Sequence, residues 1–198
     1  MELMDAILTR RSVRSFTRRP VAKESIAELV RAATWAPSAV NQQPWAFVVI
    51  RNARRLDEYS DRAKQYMFAA LPGALSMHRR AEALADPGYH AFHHAPVLVV
   101  IYAKPAQYDP ARDCCMAAQN LLLAAHGLGL GACPVGFVRA WLDLPEMKRE
   151  LDVPESCVAV MPIAIGWPHG QPEAPPRQEP DVMTWDEGAA DQTGSPQS

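Results

Sequence analysis

The chain lacks most of the features that would classify it quickly. None of the apolar runs in its 198 residues approaches the ~18 needed to cross a bilayer, so no membrane span is predicted. Cysteine is scarce: Cys114, Cys115, Cys133 and Cys157 form no C-x-x-C pair and fall far short of a disulfide scaffold. Adjacent cysteines in an apolar stretch read more simply as small buried residues in a reducing compartment. The opening residues Met1-Glu2-Leu3-Met4-Asp5 carry acid early, unlike a secretory leader, and together these points predict a cytoplasmic protein. A dominant charge sign is missing as well, since a net charge of −2 provides no global field to attract nucleic acid. A dinucleotide fingerprint is also absent. Gly127-Leu128-Gly129-Leu130-Gly131 follows a helical pattern and precedes a strand, which is C-cap and turn usage, whereas the fingerprint follows a strand. His90, His93 and His94 have helical i, i+3, i+4 spacing, but no acid or cysteine lies near them in sequence and Pro96 interrupts the segment. No metal site is expected there.

What remains is an ordinary globular composition, 48% hydrophobic and 21% charged, at a length that suits one domain. Helical spacing predicts helices at 2–9, 23–34, 53–70, 113–126 and 139–150. Apolar runs predict strands at 45–51, 96–102, 132–137 and 157–165, the second apolar on both faces and therefore internal to a sheet. The helix at 113–126 is apolar almost all round, so it belongs in the centre of a core or in a subunit interface, and its His126 is expected to meet the terminal carbonyls. The irregular stretch 71–94 reads as a cover over a pocket. The proline-rich 167–185 reads as an extended arm of a domain spanning 1–185, with 186–198 a disordered tail.

Two stretches carry chemistry. In Pro37-Ser38-Ala39-Val40-Asn41-Gln42-Gln43-Pro44-Trp45, prolines stiffen both ends of a loop that bears a hydroxyl and three carboxamides. Such a loop suits the edge of a flat polar heterocycle such as a flavin; equally, its amides could satisfy their own backbone. In Arg10-Arg11-Ser12-Val13-Arg14-Ser15-Phe16, an extended chain would put Arg10, Ser12 and Arg14 on one side and Val13 on the other. Two guanidinium forks and a hydroxyl make a clamp for a phosphate dianion, against the alternative of a solvated charge run. Gly136, inside the strand-like Ala132–Phe137, is where a ligand could approach the backbone.

These stretches, with Ala117–Gly131 and Met161-Pro162-Ile163-Ala164-Ile165-Gly166-Trp167-Pro168, occur in the order and spacing of the nitroreductase family, which the chain resembles over about residues 2–180. The resemblance implies an α+β fold, a mixed, mainly antiparallel sheet flanked by helices, in an intertwined homodimer with FMN at the interface. It implies that Arg10, Ser12 and Arg14 hold the FMN phosphate and ribityl chain, with Arg11 beside them and Arg177 closing from the arm. Pro37, Ser38, Ala39, Asn41 and Gln43 would reach the flavin from the other subunit, and Pro134, Val135 and Gly136 would lie along its ring. The implied activity is hydride transfer from NADH or NADPH through flavin to a nitroaromatic, quinone or similar acceptor in a ping-pong cycle, with no catalytic side chain required. Relatives with the same fold include dehalogenases and a flavin-fragmenting enzyme. A carrier that binds FMN without turning over is the non-enzymatic alternative.

Overall fold

Strand β2 (Val97–Ala103) is the axis around which the rest packs. All seven of its residues are buried, and they alternate with the strand period of two. Val97, Val99, Ile101 and Ala103 enter one core, while Leu98 and Val100 and Tyr102 enter the other. The computed structural model, which describes residues 2–70, 86, 88–170 and 172–186, places β2 inside a four-stranded sheet. With β1 (Trp45–Ile50), β3 (Gly131–Pro134) and β4 (Val158–Gly166), the order is β1-β2-β4-β3, every neighbouring pair antiparallel. Among the described residues the one parallel pairing is a bridge from Ser12, outside β3, to Ala132 within it.

Helices cover both faces. On the first lie α2 (Lys23–Thr34) and α4 (Pro110–Gly127), which contribute Ile26, Leu29 and Ala33, and Ala117, Leu121 and Ala125. On the second lie α3 (Ala53–Ala70), α5 (Arg139–Leu142) and α6 (Pro145–Glu150), with Leu56, Tyr59, Trp141 and Met147 buried. Each fully buried leucine or isoleucine contributes about 1.5–3 kcal/mol, so these stripes hold the layers together. The first helix, α1 (Leu3–Thr9), buries only Ala6 and leaves Leu3, Met4, Ile7 and Leu8 exposed in this chain.

Three boundaries differ from expectation, the first being the strand expected over 132–137, which ends at Pro134 and gives way to a 3-10 turn at Gly136–Val138. Helix α4 starts earlier, because Asp109 caps it by accepting from Ala111 N at 3.1 Å and Pro110 sits at its first turn. The helix expected over 139–150 is two helices, since Pro145 forces Leu144 into extended geometry (ψ 139°). Beyond α4, Gly129 adopts φ +73°, the left-handed turn anticipated for the glycine run. Strand β4 carries a bulge: Ile101 pairs with Met161 but Tyr102 pairs with Ala159, leaving Val160 as the extra residue. The expected cover falls largely on 71–85 and 87, and the expected tail on 187–198, outside the described residues. No described helix is long and apolar enough to cross a membrane.

Candidate functional site

At the β3 edge the arginine-rich segment is stitched to the sheet. Ser12 bridges to Ala132, and Val13 N donates to Ala132 O at 3.1 Å. Gly131 is required here: a Cβ at this position would come within 2.7 Å of Val13 Cβ. On the other side, Thr17 N donates to Trp167 O at 2.8 Å and His169 N to Ser15 O at 2.9 Å, so the root of the arm runs beside residues 15–17. Val13 is buried as expected. The side chains of Arg10, Ser12 and Arg14 make no hydrogen bond or ion pair among the described residues. Both guanidinium charges bear on Cys133: burial raises its thiol pKa, while Arg14 and Arg10 pull it down.

Arg11 behaves differently. Its Nη1 donates to Leu8 O (2.7 Å) and Arg10 O (2.9 Å), capping the end of α1. Arg10 and Arg11 line a cleft of about 610 Å³ with His126, Leu122, Leu130 and Pro172. Ser12 and Arg14 line an adjoining one of about 330 Å³ with Ser15 and His169. The two share Val13, Gly170 and Pro172, so the arm divides the expected single row of the clamp. His126 meets α1 rather than the carbonyls at the end of its own helix. Thr9 Oγ1 donates to Asp5 O at 2.5 Å, so it accepts from His126 Nε2–H at 2.8 Å. Burial, then the charges of Arg10 and Arg11, hold the His126 pKa down.

Pro134, Val135 and Gly136 follow at the same edge. Val135 is buried, its N–H donates to Pro162 O at 2.9 Å, and its carbonyl accepts from Val138 N at 3.2 Å. Its main-chain N–H is therefore already taken within the fold. Gly136 opens a 3-10 turn (Gly136–Val138), where a first N–H has no helical partner, and open space lies where its Cβ would be. Arg177 lies in the exposed arm and makes no hydrogen bond or ion pair among the described residues.

The amide-bearing loop sits at the opposite, β1 edge. Val40, Asn41 and Gln43 have φ of 45°, 56° and 45°, the left-handed region that costs non-glycine residues about 1–3 kcal/mol each. Ser38 Oγ accepts from Gln43 N at 3.0 Å, and Gln43 Nε2 donates to Asn41 Oδ1 at 3.0 Å. Part of the loop does satisfy itself, as the alternative reading held. Pro37, Asn41 and Gln43 face solvent, while Gln42 turns inward to Asp113 at 2.8 Å and Ala39 N donates to the same carboxylate.

The turn at 89–95 is a part of the site region that its sequence concealed. His90 has a carboxylate neighbour after all, Asp57 of α3 at 3.0 Å. Asp57, His90 and His94 place potential ligand atoms within 4.8 Å of one another. The hydrogen bonds assign His90 another task. Its Nδ1 accepts from Phe92 N (3.1 Å) and His94 N (3.2 Å), so Nε2 carries the proton and donates to Asp57. A metal ligand needs the reverse arrangement, with the second ring nitrogen donating. His93 adopts φ 56°, and burial, then Arg14, His90 and His94, push its pKa down to about 4. Tyr89 stacks at 6.3 Å on Phe137, bringing this turn against the Gly136 turn.

Because β1 and β3 are the two edges of the strand order and the clamp segment pairs outside β3, four strand spacings of about 4.8 Å, about 19 Å in all, separate β1 and its loop from the clamp within one chain. The structure brings Arg10–Arg14 and Pro134–Gly136 together and leaves Pro37–Gln43 apart from them.

Comparison with known proteins follows this geometry. The sequence profile described as "Nitroreductase family" matches residues 7–167. A Methanothermobacter thermautotrophicus protein, provisionally named NADH dehydrogenase/NAD(P)H nitroreductase, is 30% identical over 185 residues, covering 91% of this chain and 85% of its own. The 5,6-dimethylbenzimidazole synthase of Rhodospirillum rubrum is 31% identical over 200 residues, covering 92% and 88%. Among solved structures, a nitroreductase with bound FMN from Bacteroides fragilis superposes with a TM-score of 0.80 at 26% identity, covering 93% of this chain and 99% of that one.

Proposed function

The chain belongs to the nitroreductase family, and from that premise we propose that it is an FMN-dependent NAD(P)H oxidoreductase acting on a small organic acceptor such as a nitroaromatic or quinone. The observation that carries the reading is the pair Arg10 and Arg14: two guanidiniums in adjoining clefts beside the arm, with Ser12 between them in sequence and no carboxylate paired with either among the described residues. Unpaired cations held in place by main-chain bonds fit a phosphate dianion. Bound FMN would supply the redox chemistry, taking hydride from NADH or NADPH and passing electrons to the acceptor in a ping-pong cycle.

The protein's part is binding and orientation. Arg10, Ser12 and Arg14 would hold the phosphate and ribityl chain, Arg11 would fix the backbone beneath them, and Arg177 would approach from the arm. Pro134 and Gly136 would lie along the ring, the Gly136 N–H facing it and Val135 packing behind. The cations near the cofactor would favour an anionic reduced form by charge attraction.

Pro37, Ser38, Ala39, Asn41 and Gln43 would be supplied by a second copy, since their own chain holds them at the far edge of its sheet. The exposed apolar side of α1 supports a homodimer, a face of leucine, methionine and isoleucine that one chain leaves in water.

The similarity to a 5,6-dimethylbenzimidazole synthase, as high as that to the nitroreductase-named relative, favours a second reading in which the chain consumes its flavin. One experiment separates them: the visible spectrum of the purified protein with FMN, recorded anaerobically after NADH, after NADPH, and again after admitting air. A yellow protein bleached by either nucleotide and restored by air is the expected result. Colour that bleaches and does not return, with dimethylbenzimidazole in the solution, would establish the second reading. A protein that takes up no FMN would overturn both.

A further inference from the structure

We propose that Asp113 is a positioning residue that acts across the subunit interface, locking the loop Ser38–Gln43 of its own chain into the shape with which that loop completes the flavin site of a second copy. The inference rests on the FMN reading above.

Asp113 is not needed to cap its helix, because Asp109 already does so. It lies in the first turn of α4 at 8% exposure, and no lysine, arginine or histidine pairs with it among the described residues. A buried carboxylate without a cation is costly unless hydrogen bonds satisfy it. Here every donor comes from one loop: Ala39 N at 3.3 Å from each oxygen, and Gln42 Nε2 at 2.8 Å. The orientation of the Gln42 amide is set from its other end, where Oε1 accepts from Tyr108 N at 3.4 Å. The field at the start of the helix favours the negative charge in this position.

What the carboxylate holds is a backbone that would not hold itself. Three residues of this loop have positive φ without being glycine, and one of them, Val40, is β-branched and 74% exposed. Strain of this kind persists only where surrounding contacts over-determine it. With Ala39 and Gln42 pinned inward, Asn41 and Gln43 face outward, the two amides assigned to the flavin. The loop precedes β1 and the clamp lies beyond β3, so Asp113 cannot serve its own chain's clamp through this loop. Its effect has to be felt in the other subunit. An asparagine at 113 would keep the shape but remove the charge and one acceptor, placing an NH2 where Oδ1 now accepts from Ala39 N.

The test is a mixed dimer. Asp113→Asn and Arg10→Ala copies, carrying different affinity tags, are co-expressed and the mixed species is isolated and titrated with FMN. Each variant alone is expected to lose FMN affinity by about tenfold or more, the loss of a hydrogen bond to a charged group. The mixed dimer joins an unaltered clamp to an unaltered loop at one of its two sites, so it is expected to bind one FMN per two chains at wild-type affinity. If Asp113 acted within its own subunit, both sites would carry a lesion and the mixed dimer would bind no better than its parents, which would overturn the inference. Wild-type affinity in the Asp113→Asn homodimer would overturn it as well. Gln42→Ala makes a second lesion in the same lock and gives the same pattern where Asp113→Asn does not fold. A wild-type protein that binds no FMN defeats the functional reading and this inference together; a yellow wild type with a mixed dimer no better than its parents defeats the inference alone.

Discussion

The two edges of the sheet solve opposite problems. At the β3 edge the backbone is pinned by main-chain hydrogen bonds, such as Val13 N to Ala132 O and Thr17 N to Trp167 O, while the side chains of Arg10 and Arg14 have no partner among the described residues. At the β1 edge the side chains are partly paired with one another and with Asp113, while the backbone is strained through Val40, Asn41 and Gln43. One edge stores unneutralised charge and the other stores conformation. On the reading proposed above, this division would let a small domain carry half of each of two sites, the charged half binding a ligand and the strained half holding its shape.

The largest effect is expected from removing the charge. Arg10→Ala with Arg14→Ala should weaken FMN binding by about 3–5 kcal/mol, as charged hydrogen bonds are lost, and should flatten its salt dependence. Fold stability should hardly change, because neither side chain has a protein partner; a fluorescence titration and a urea melt check the two halves. Next comes the backbone beneath the clamp. Gly131→Ala forces a methyl against Val13 and should cost about 1–3 kcal/mol, with Val13→Ala recovering part of it in a double-mutant cycle of urea melts.

Val40→Gly acts on the other edge with the opposite sign. Relief of left-handed strain should stabilise the fold by about 1 kcal/mol in a urea melt, while the loosened loop lowers FMN affinity. A fourth effect belongs to pH. His93 is pushed from 6.5 to about 4 in the folded chain, so the unfolded chain takes up its proton first as pH falls. Its contribution to stability is complete above pH 6.5 and is lost towards pH 4; His93→Gln should flatten thermal melting temperatures across that window.

Much of this contrast was legible in the residues, and its limits have physical causes. The buried run of β2 and the stripes of α2 and α3 were plain because burial imposes a period on the chain. The spacing of Arg10, Ser12 and Arg14 predicts one row on a strand, while the arm that parts them into two clefts comes from more than 150 positions away. Pro145 could have announced the break between α5 and α6. The pairing of Asp57 with His90 and of Thr9 with His126 spans 33 and 117 positions, and nothing local marks such a meeting. Asp113 was hidden by ambiguity: an acid near a helix start looks like a cap, and only the fold reveals that Asp109 had already taken that task. The positive φ of Val40 runs against its residue type and could not be read at all.

The bulge in β4 has a consequence for how the chain can change length. Tyr102 faces Ala159 and Ile101 faces Met161, so Val160 is the one residue of the strand that the ladder does not need. A single-codon deletion at this position would leave each remaining partner opposite its present neighbour. It would forfeit the buried Val160 side chain and the turn of the backbone that aims Ala159 N at Asp143, 2.8 Å away, and Ala159 O at Arg139, 3.0 Å away. Deletion of Met161 would do the same with Val160 taking its place opposite Ile101, whereas a deletion further along, at Ile163, would move Met161 and Pro162 by one place and exchange their faces. Along β4, losses of sequence in descendants of this chain should therefore cluster at residues 160 and 161.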